Sequence, residues 1–378
     1  MLLLALSSFG GPQAHIAHFL RVLVIKRAYL SEADLIELNA LCNILPGPTS
    51  TQTITAVGFR IGGPKLAFLT LLVWMLPAVA IMTTAGIIMS NIHEKDLSIA
   101  FTKFIQPMAV GFVAYAAYMI SMRTVNTRTG VWLMIFAGVV SYFVRTPFVF
   151  PVILLLAGLT TALKYKTQPK EKKSRLEVQW GNFILWAGVL LAAAALGAIT
   201  KALPIRLFEN FYRNGSLIFG GGQVLIPLMY TEFVQFKQYL SSQEFLSGYA
   251  LAQSVPGPTF SFSAYIGALS MREYGVFGEV LGALAAALGI FLPGTFLIFF
   301  VIRFWEGLKK YRPVKASLEG VNAASAGLVA AAAILLYQPL ENGIMNIAFI
   351  AGTFCLLTFT RIPHPFIIIA GLLAGFIL

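Results

Sequence analysis

The chain has 378 residues, 58% of them hydrophobic and only 11% charged, with a mean hydropathy of +0.81. No soluble domain tolerates that much apolar surface, so lipid is the solvent for most of the molecule and no segment remains for a separate soluble domain. The formal charge is +12, which by itself suits nucleic acid, anionic lipid or an anionic substrate.

Taken in chain order, Met1 to Leu6 is apolar with no preceding basic residue and no small-residue cleavage site, so it reads as part of a first membrane helix rather than a removable signal. Apolar stretches near transmembrane length follow at Leu66 to Met89, Phe104 to Met122, Phe183 to Thr200, Val276 to Ile302 and Ala323 to Tyr337. Lys164, Lys166, Lys170, Lys172, Lys173 and Arg175 crowd one polar linker. Arg303, Lys309, Lys310, Arg312 and Lys315 form a second cluster. Clustering at segment ends marks topology, so 164–175 and 303–315 are predicted to face the cytoplasm beside anionic head groups, and nucleic acid is not a partner. Cys42 and Cys355 have no paired spacing, so neither a disulfide nor a thiolate metal site is suggested.

The linker separates two copies of one unit. At an offset of 210, Phe9-Gly10-Gly11 falls on Phe219-Gly220-Gly221, Gln13 on Gln223, Tyr29-Leu30-Ser31 on Tyr239-Leu240-Ser241, and Pro46-Gly47-Pro48-Thr49 on Pro256-Gly257-Pro258-Thr259. The offset grows to 212 at Arg60/Arg272 and Gly63/Gly275, then to 216 at Pro77/Pro293, Gly111/Gly327 and Arg145/Arg361. The predicted architecture is therefore an all-α polytopic membrane protein. It comprises a first repeat over 1–163, the basic linker with a connecting transmembrane helix over 164–200, and a second repeat over 201–378. Charge bias reverses between equivalent loops: Arg21, Lys26 and Arg27 against Glu232 and Lys237, then a near-balanced His93 to Lys103 against the basic 303–315. With the odd connecting helix, this predicts an inverted repeat, the construction of many secondary transporters.

Each half interrupts its apolar sequence twice with glycine and proline. Pro48 and Pro258 cannot continue a helix but suit the first turn of a new one, so broken half-helices are expected at the centre. Broken backbone survives in a membrane only where protein buries it or a cavity adjoins it, and a half-helix N-terminus offers N–H donors and partial positive charge to an oxyanion. The candidate substrate-binding set is Gly10, Gly11, Gln13, Pro46, Gly47, Pro48, Thr49, Thr51 and Gln52 in the first half. In the second half it is Gly220, Gly221, Gln223, Pro256, Gly257, Pro258, Thr259 and Ser261. Kinking and close packing would explain one such motif; two equivalent pairs favour binding. Ser50 and Ser263 add hydroxyls beside these turns.

Arg60 and Arg272, each followed by glycine, are candidates for an anion path, with snorkelling at a helix end as the alternative. Arg145 and Arg361 read as interfacial. Glu279 is a candidate proton carrier without an acidic counterpart. His15 and His18 lack metal-binding partners and align with Leu225 and Leu228, so no metal site is expected. Nor is a cofactor: no Walker loop, zinc-protease, nucleophile-elbow or dinucleotide motif is present, and nothing suggests an enzyme.

The ordered set of duplicated Phe-Gly-Gly (Phe9 to Gln13, Phe219 to Gln223) and Pro-Gly-Pro-Thr (Pro46 to Thr49, Pro256 to Thr259) resembles the chromate ion transporter family of bacteria and archaea, in its long, two-domain form. The resemblance runs from the first motif to the end of the chain. It implies a multi-pass protein of the cell (inner) membrane that exports chromate, driven by membrane potential or proton gradient, with sulfate as the structural analogue. It also implies halves of opposite orientation. On this reading Thr49, Thr51, Thr259 and Ser261 bind oxygens, Gln13 and Gln223 complete the shell, and the paired arginines tune entry and exit. Transport of sulfate or another oxyanion, an anion channel, and assembly as a homo-oligomer remain open at this stage.

Overall fold

The computed structural model describes residues 1–94, 103–164, 178–217, 224–308, 311–360 and 362–377. Among these residues there is no strand. The helices are α1 (Leu2–Ser7), α2 (Gly11–Phe19), α3 (Glu32–Ile44), α4 (Thr49–Glu94), α5 (Ile105–Thr124), α6 (Arg128–Phe143), α7 (Val149–Ala162) and α8 (Gly181–Thr200), then α9 (Leu203–Leu217), α10 (Leu225–Met229), α11 (Ser242–Ser254), α12 (Phe262–Ser270), α13 (Gly275–Val301), α14 (Trp305–Leu308), α15 (Arg312–Tyr337), α16 (Ile344–Phe359) and α17 (His364–Ile377). Segments within α4, α5 and α8, the stretch Arg272–Val301 and α15 are long and apolar enough to cross a bilayer. They contain the five apolar stretches read from the sequence, except for the end residues Phe104 and Ile302. The protein is an all-α polytopic membrane protein.

Equivalent residues of the two halves adopt the same local structure. A π-helix at Leu20–Lys26 recurs at Tyr230–Phe236, and each is followed by a left-handed residue, Ala28 (φ 50) and Gln238 (φ 55). Next comes a capping box: the Ser31 hydroxyl accepts from the Asp34 N–H while the Asp34 carboxylate accepts from the Ser31 N–H, and Ser241 with Glu244 repeats this. α4 is broken at Gly62 and Gly63, and Gly63 (φ 70) matches Gly275 (φ 66) at the start of α13. Only glycine takes such conformations freely.

The halves pack through each other. An added Cβ on Gly327 of α15 would stand 2.0 Å from the Met134 carbonyl oxygen of α6, and one on Gly111 of α5 would stand 2.8 Å from the Ile350 carbonyl oxygen of α16. Gly111 and Met134 lie 216 residues before Gly327 and Ile350, so these are the same contact made twice with the halves exchanged. Small residues let helix backbones approach in lipid, where packing rather than hydrophobicity holds helices together.

Described residues that border the two basic segments meet at one end of the molecule. Arg303 hydrogen-bonds Gln179, and Phe183 at the start of α8 lies 5.2 Å from Phe300 near the end of α13, ring centre to ring centre. Most of the linker read as cytoplasmic lies outside the described residues; Lys164 at its start donates to Thr129 Oγ1 at 2.8 Å.

Candidate functional site

The first Phe-Gly-Gly motif breaks the chain between α1 and α2, with Gly10 (φ 92) and Gly11 (φ 80) both in conformations that exclude most side chains. Gln13 falls in the first turns of α2. Its side chain, and the second motif with Gly220, Gly221 and Gln223, lie outside the described residues.

Both Pro-Gly-Pro turns separate two helices, α3 from α4 and α11 from α12 by way of a 3₁₀ turn at Thr259–Ser261. Pro48 and Pro258 stand immediately before these helices rather than inside their first turn. The cap position has extended backbone (Pro258 φ −70, ψ 127) and contributes its carbonyl, which Pro48 gives to the Gln52 N–H at 2.8 Å. Proline's missing N–H is not needed at either position.

Each turn packs against a proline-containing helix of the other half. Gly47 (φ 119) faces Gly294, beside Pro293 of α13: an added Cβ would lie 3.5 Å from the Gly294 Cα. Gly257 (φ 104) faces Ala78, beside Pro77 of α4, at 3.1 Å from the Ala78 Cβ. The Gly257 N–H also donates to the Ser8 carbonyl at the first helix break, at 2.8 Å. Three of the four interruptions thus meet at one place. Among the described residues they are brought together from both halves.

The first half makes this centre polar. Thr49, Ser50, Thr51 and Gln52 are all buried. The Gln52 amide donates to the Pro46 carbonyl at 2.6 Å and fills the gap between Gly47 and Gly294, and its Oε1 is buried without a partner among the described residues. Ser50 shares a 3.0 Å hydrogen bond with His15 Nδ1, and Trp74 Nε1 donates to Thr51 Oγ1 at 3.1 Å. Trp74 joins the two turns, since its carbonyl oxygen lies 3.7 Å from a Cβ placed on Gly257. In the second half Ser261 and Ser263 are buried, Thr259 is half-buried, Pro256 is half-buried and Pro258 buried. The counterpart of Gln52 is Phe262, which stacks among Phe245, Tyr249 and Tyr265.

His15 and Trp74 are absent from the set marked by sequence. The signal available for His15 was its departure from the repeat, since a leucine stands at the equivalent position; for Trp74 there was none. Arg60 and Arg272 are not at the turns: each pairs with the capping-box acid of the preceding helix, Arg60 with Asp34 at 3.6 Å and Arg272 with Glu244.

What converges here is a set of hydroxyl, amide, imidazole and indole groups without a charged side chain, at the N-termini of interrupted helices. Such a set can hold an oxyanion by hydrogen bonds and helix-end charge, and release it without breaking a buried ion pair.

Fold and site together define a polytopic helical membrane protein built from two interlocking halves with broken helices at the centre, a construction shared with transporters. The family model for chromate transporters matches residues 1–162 and 205–376, and the chain belongs to that family. It is 27% identical over 374 residues to a probable chromate transport protein of Synechococcus elongatus, covering 98% of this chain and 91% of that one. To a chromate transport protein of Pseudomonas aeruginosa it is 28% identical over 342 residues, 88% of this chain and 78% of the relative. An uncharacterized transporter of Bacillus subtilis is 29% identical over 180 residues, 46% of this chain but 96% of its own length. No solved structure matches the chain.

Proposed function

We propose that the protein is a secondary transporter that exports chromate from the cytoplasm across the cell (inner) membrane, using membrane potential or the proton gradient. The observation that carries this reading is the joining of the two Pro-Gly-Pro turns through Trp74, with each turn seated on a proline-containing helix of the other half. Moving one half against the other changes what covers the hydroxyls of Thr49, Thr51, Thr259 and Ser261, which is what alternating access requires. The relatives named for chromate transport supply the substrate.

Inversion of the repeats is part of the proposal. Asp34, just past the first π-helix, pairs with Arg60 at 3.6 Å, and Phe59 lies 5.1 Å from Phe299 near the end of α13 that leads to Arg303. The second π-helix is followed by Lys237, which shares a cavity with Lys201 beyond the other end of α8. Repeats 1–163 and 201–378 then run in opposite directions, with 164–175 and 303–315 cytoplasmic.

The test is chromate retention in cells expressing the wild type or Thr49→Val/Thr259→Val, with membrane insertion checked and sulfate as competitor. Lower retention in wild type that the double variant abolishes supports export through the turns. Unchanged retention with a well-inserted wild type removes chromate as substrate.

A candidate for proton coupling is Glu279, 2% exposed on α13 with no partner for Oε1 among the described residues. A buried carboxyl in a membrane span is costly unless it serves a purpose such as proton movement. Glu279→Gln should still let chromate flow down its own gradient in proteoliposomes while losing the response to an imposed pH gradient. An unaltered pH response would leave membrane potential as the driving force.

A further inference from the structure

A second polar region lies away from the turns. Beyond the end of α8 opposite the basic segments, roughly 30 Å along the helix, a cavity of about 470 Å³ opens between α8, α9, the second π-helix and Pro147-Phe148. Its wall carries four cations, Lys201, Arg206, Arg213 and Lys237, and two carboxylates, Glu209 and Glu232.

The charges are unequally used. Glu232, 1% exposed, accepts from Arg213 Nη2 at 2.8 Å, Lys237 Nζ at 2.9 Å and Asn214 Nδ2 at 2.8 Å. Glu209 accepts from Arg213 Nε at 3.1 Å. Both carboxylates are therefore neutralised by Arg213 and Lys237, which they also hold in place. Lys201 and Arg206 remain exposed at the cavity with no ion pair among the described residues. The wall thus has a net charge of +2. Topology does not call for these two cations, because the positive-inside rule places the excess at the other face, where Arg303 and Lys164 stand. The space for a guest comes from α8, where Ala194, Gly197 and Ala198 line the cavity and the Arg206 side chain lies along Gly197.

We propose that this cavity binds a tetrahedral oxyanion group of charge near −2, engaged by Lys201 and Arg206 over the fixed Arg213–Glu232–Lys237 network. Either a free dianion or the phosphate of an anionic lipid head group offers that chemistry, and α8 borders lipid along most of its length, with only 11% of its apolar window buried. The site is separate from the turns and does not depend on their role.

Purified full-length protein in detergent tests it with two probes: sodium sulfate by calorimetric titration at constant ionic strength, and dioleoylphosphatidic acid by native mass spectrometry. Lys201→Gln/Arg206→Gln should weaken one probe about tenfold or more, since each lost charge-assisted hydrogen bond is worth roughly that factor, with an unchanged melting temperature. Loss of sulfate binding identifies a free dianion; loss of lipid binding alone identifies a head group. Gly197→Leu, which fills the cavity while keeping every charge, should reproduce the loss and decides the matter if the double variant melts early. Thr49→Val/Thr259→Val should leave the lost component intact, which separates this site from the turns. Binding of neither probe by wild type, or equal binding by wild type and both cavity variants, overturns the proposal.

Discussion

Thr51 shows how much one hydroxyl at the turns is asked to do. Its Oγ1 takes the indole N–H of Trp74, 23 residues away in sequence, and its carbonyl takes the Thr55 hydroxyl at 2.7 Å. Thr51→Val keeps the shape and removes the acceptor, leaving a buried indole N–H without a partner. The expected cost is about 1–3 kcal/mol, seen as a lower melting temperature of the detergent-solubilised protein. Thr51→Ser should restore most of it. An equal fall for valine and serine would mean that packing of the methyl group, not the hydrogen bond, is what Thr51 supplies. The threonine and its neighbours could be marked from sequence because proline and glycine announce a helix break by local sterics alone. His15 is marked only by its departure from the repeat, where Leu225 stands in the second half, and Trp74 is not marked at all. Trp74 is ordinary in its own helix and becomes part of the centre only through a contact made by the folded chain.

At the scale of elements, α3 and α11 begin with the same capping box but are anchored differently. Asp34 meets Arg60, whose side chain is 66% exposed, whereas the Glu244 side chain is 5% exposed and meets Arg272, which also donates to the Tyr239 carbonyl at 3.2 Å. An exposed pair is screened by water and contributes little; removing one member of a buried pair strands the other. Arg272→Gln should therefore lower stability by roughly 2–3 kcal/mol, less than a fully buried pair because Arg272 keeps partial solvent access. Arg60→Gln should be nearly silent in the same thermal melts. If Arg60→Gln impairs chromate transport without affecting stability, that arginine acts on the anion path expected from its spacing. The equivalence of these helices was legible, since a run without gaps aligns every residue from the first glycines to the Pro-Gly-Pro turns. The π-helices were not. Their extra residue per turn depends on how the surrounding helices accept the widened backbone, which no local pattern states.

For the whole molecule, duplication was written in the sequence while the interlocking of its two copies was not. Offsets of 210, 212 and 216 say which residues correspond, but not that Gly111 meets the second half and Gly327 the first. That follows from helices in lipid, which have no hydrophobic reason to prefer their own half and associate wherever small residues permit close approach. At Gly327 a side chain would reach a main-chain oxygen of α6, and backbone cannot swing away as the end of a long side chain can. Gly327→Val should thus force α15 from α6 and cost about 3 kcal/mol or more, at the upper end of overpacking penalties. Gly111→Val should do the same at the equivalent crossing of α5 and α16, with a smaller effect because its nearest contact is 2.8 Å rather than 2.0 Å. Gly352 on α16 has nothing within 4 Å of an added Cβ, so Gly352→Val is the control for the intrinsic effect of valine in a membrane helix. Size-exclusion profiles after graded heating would rank the three. The order Gly327, Gly111, Gly352 is the signature of two halves held together across each other; equal losses at all three would mean that valine weakens the helices themselves and that the crossings carry no special burden.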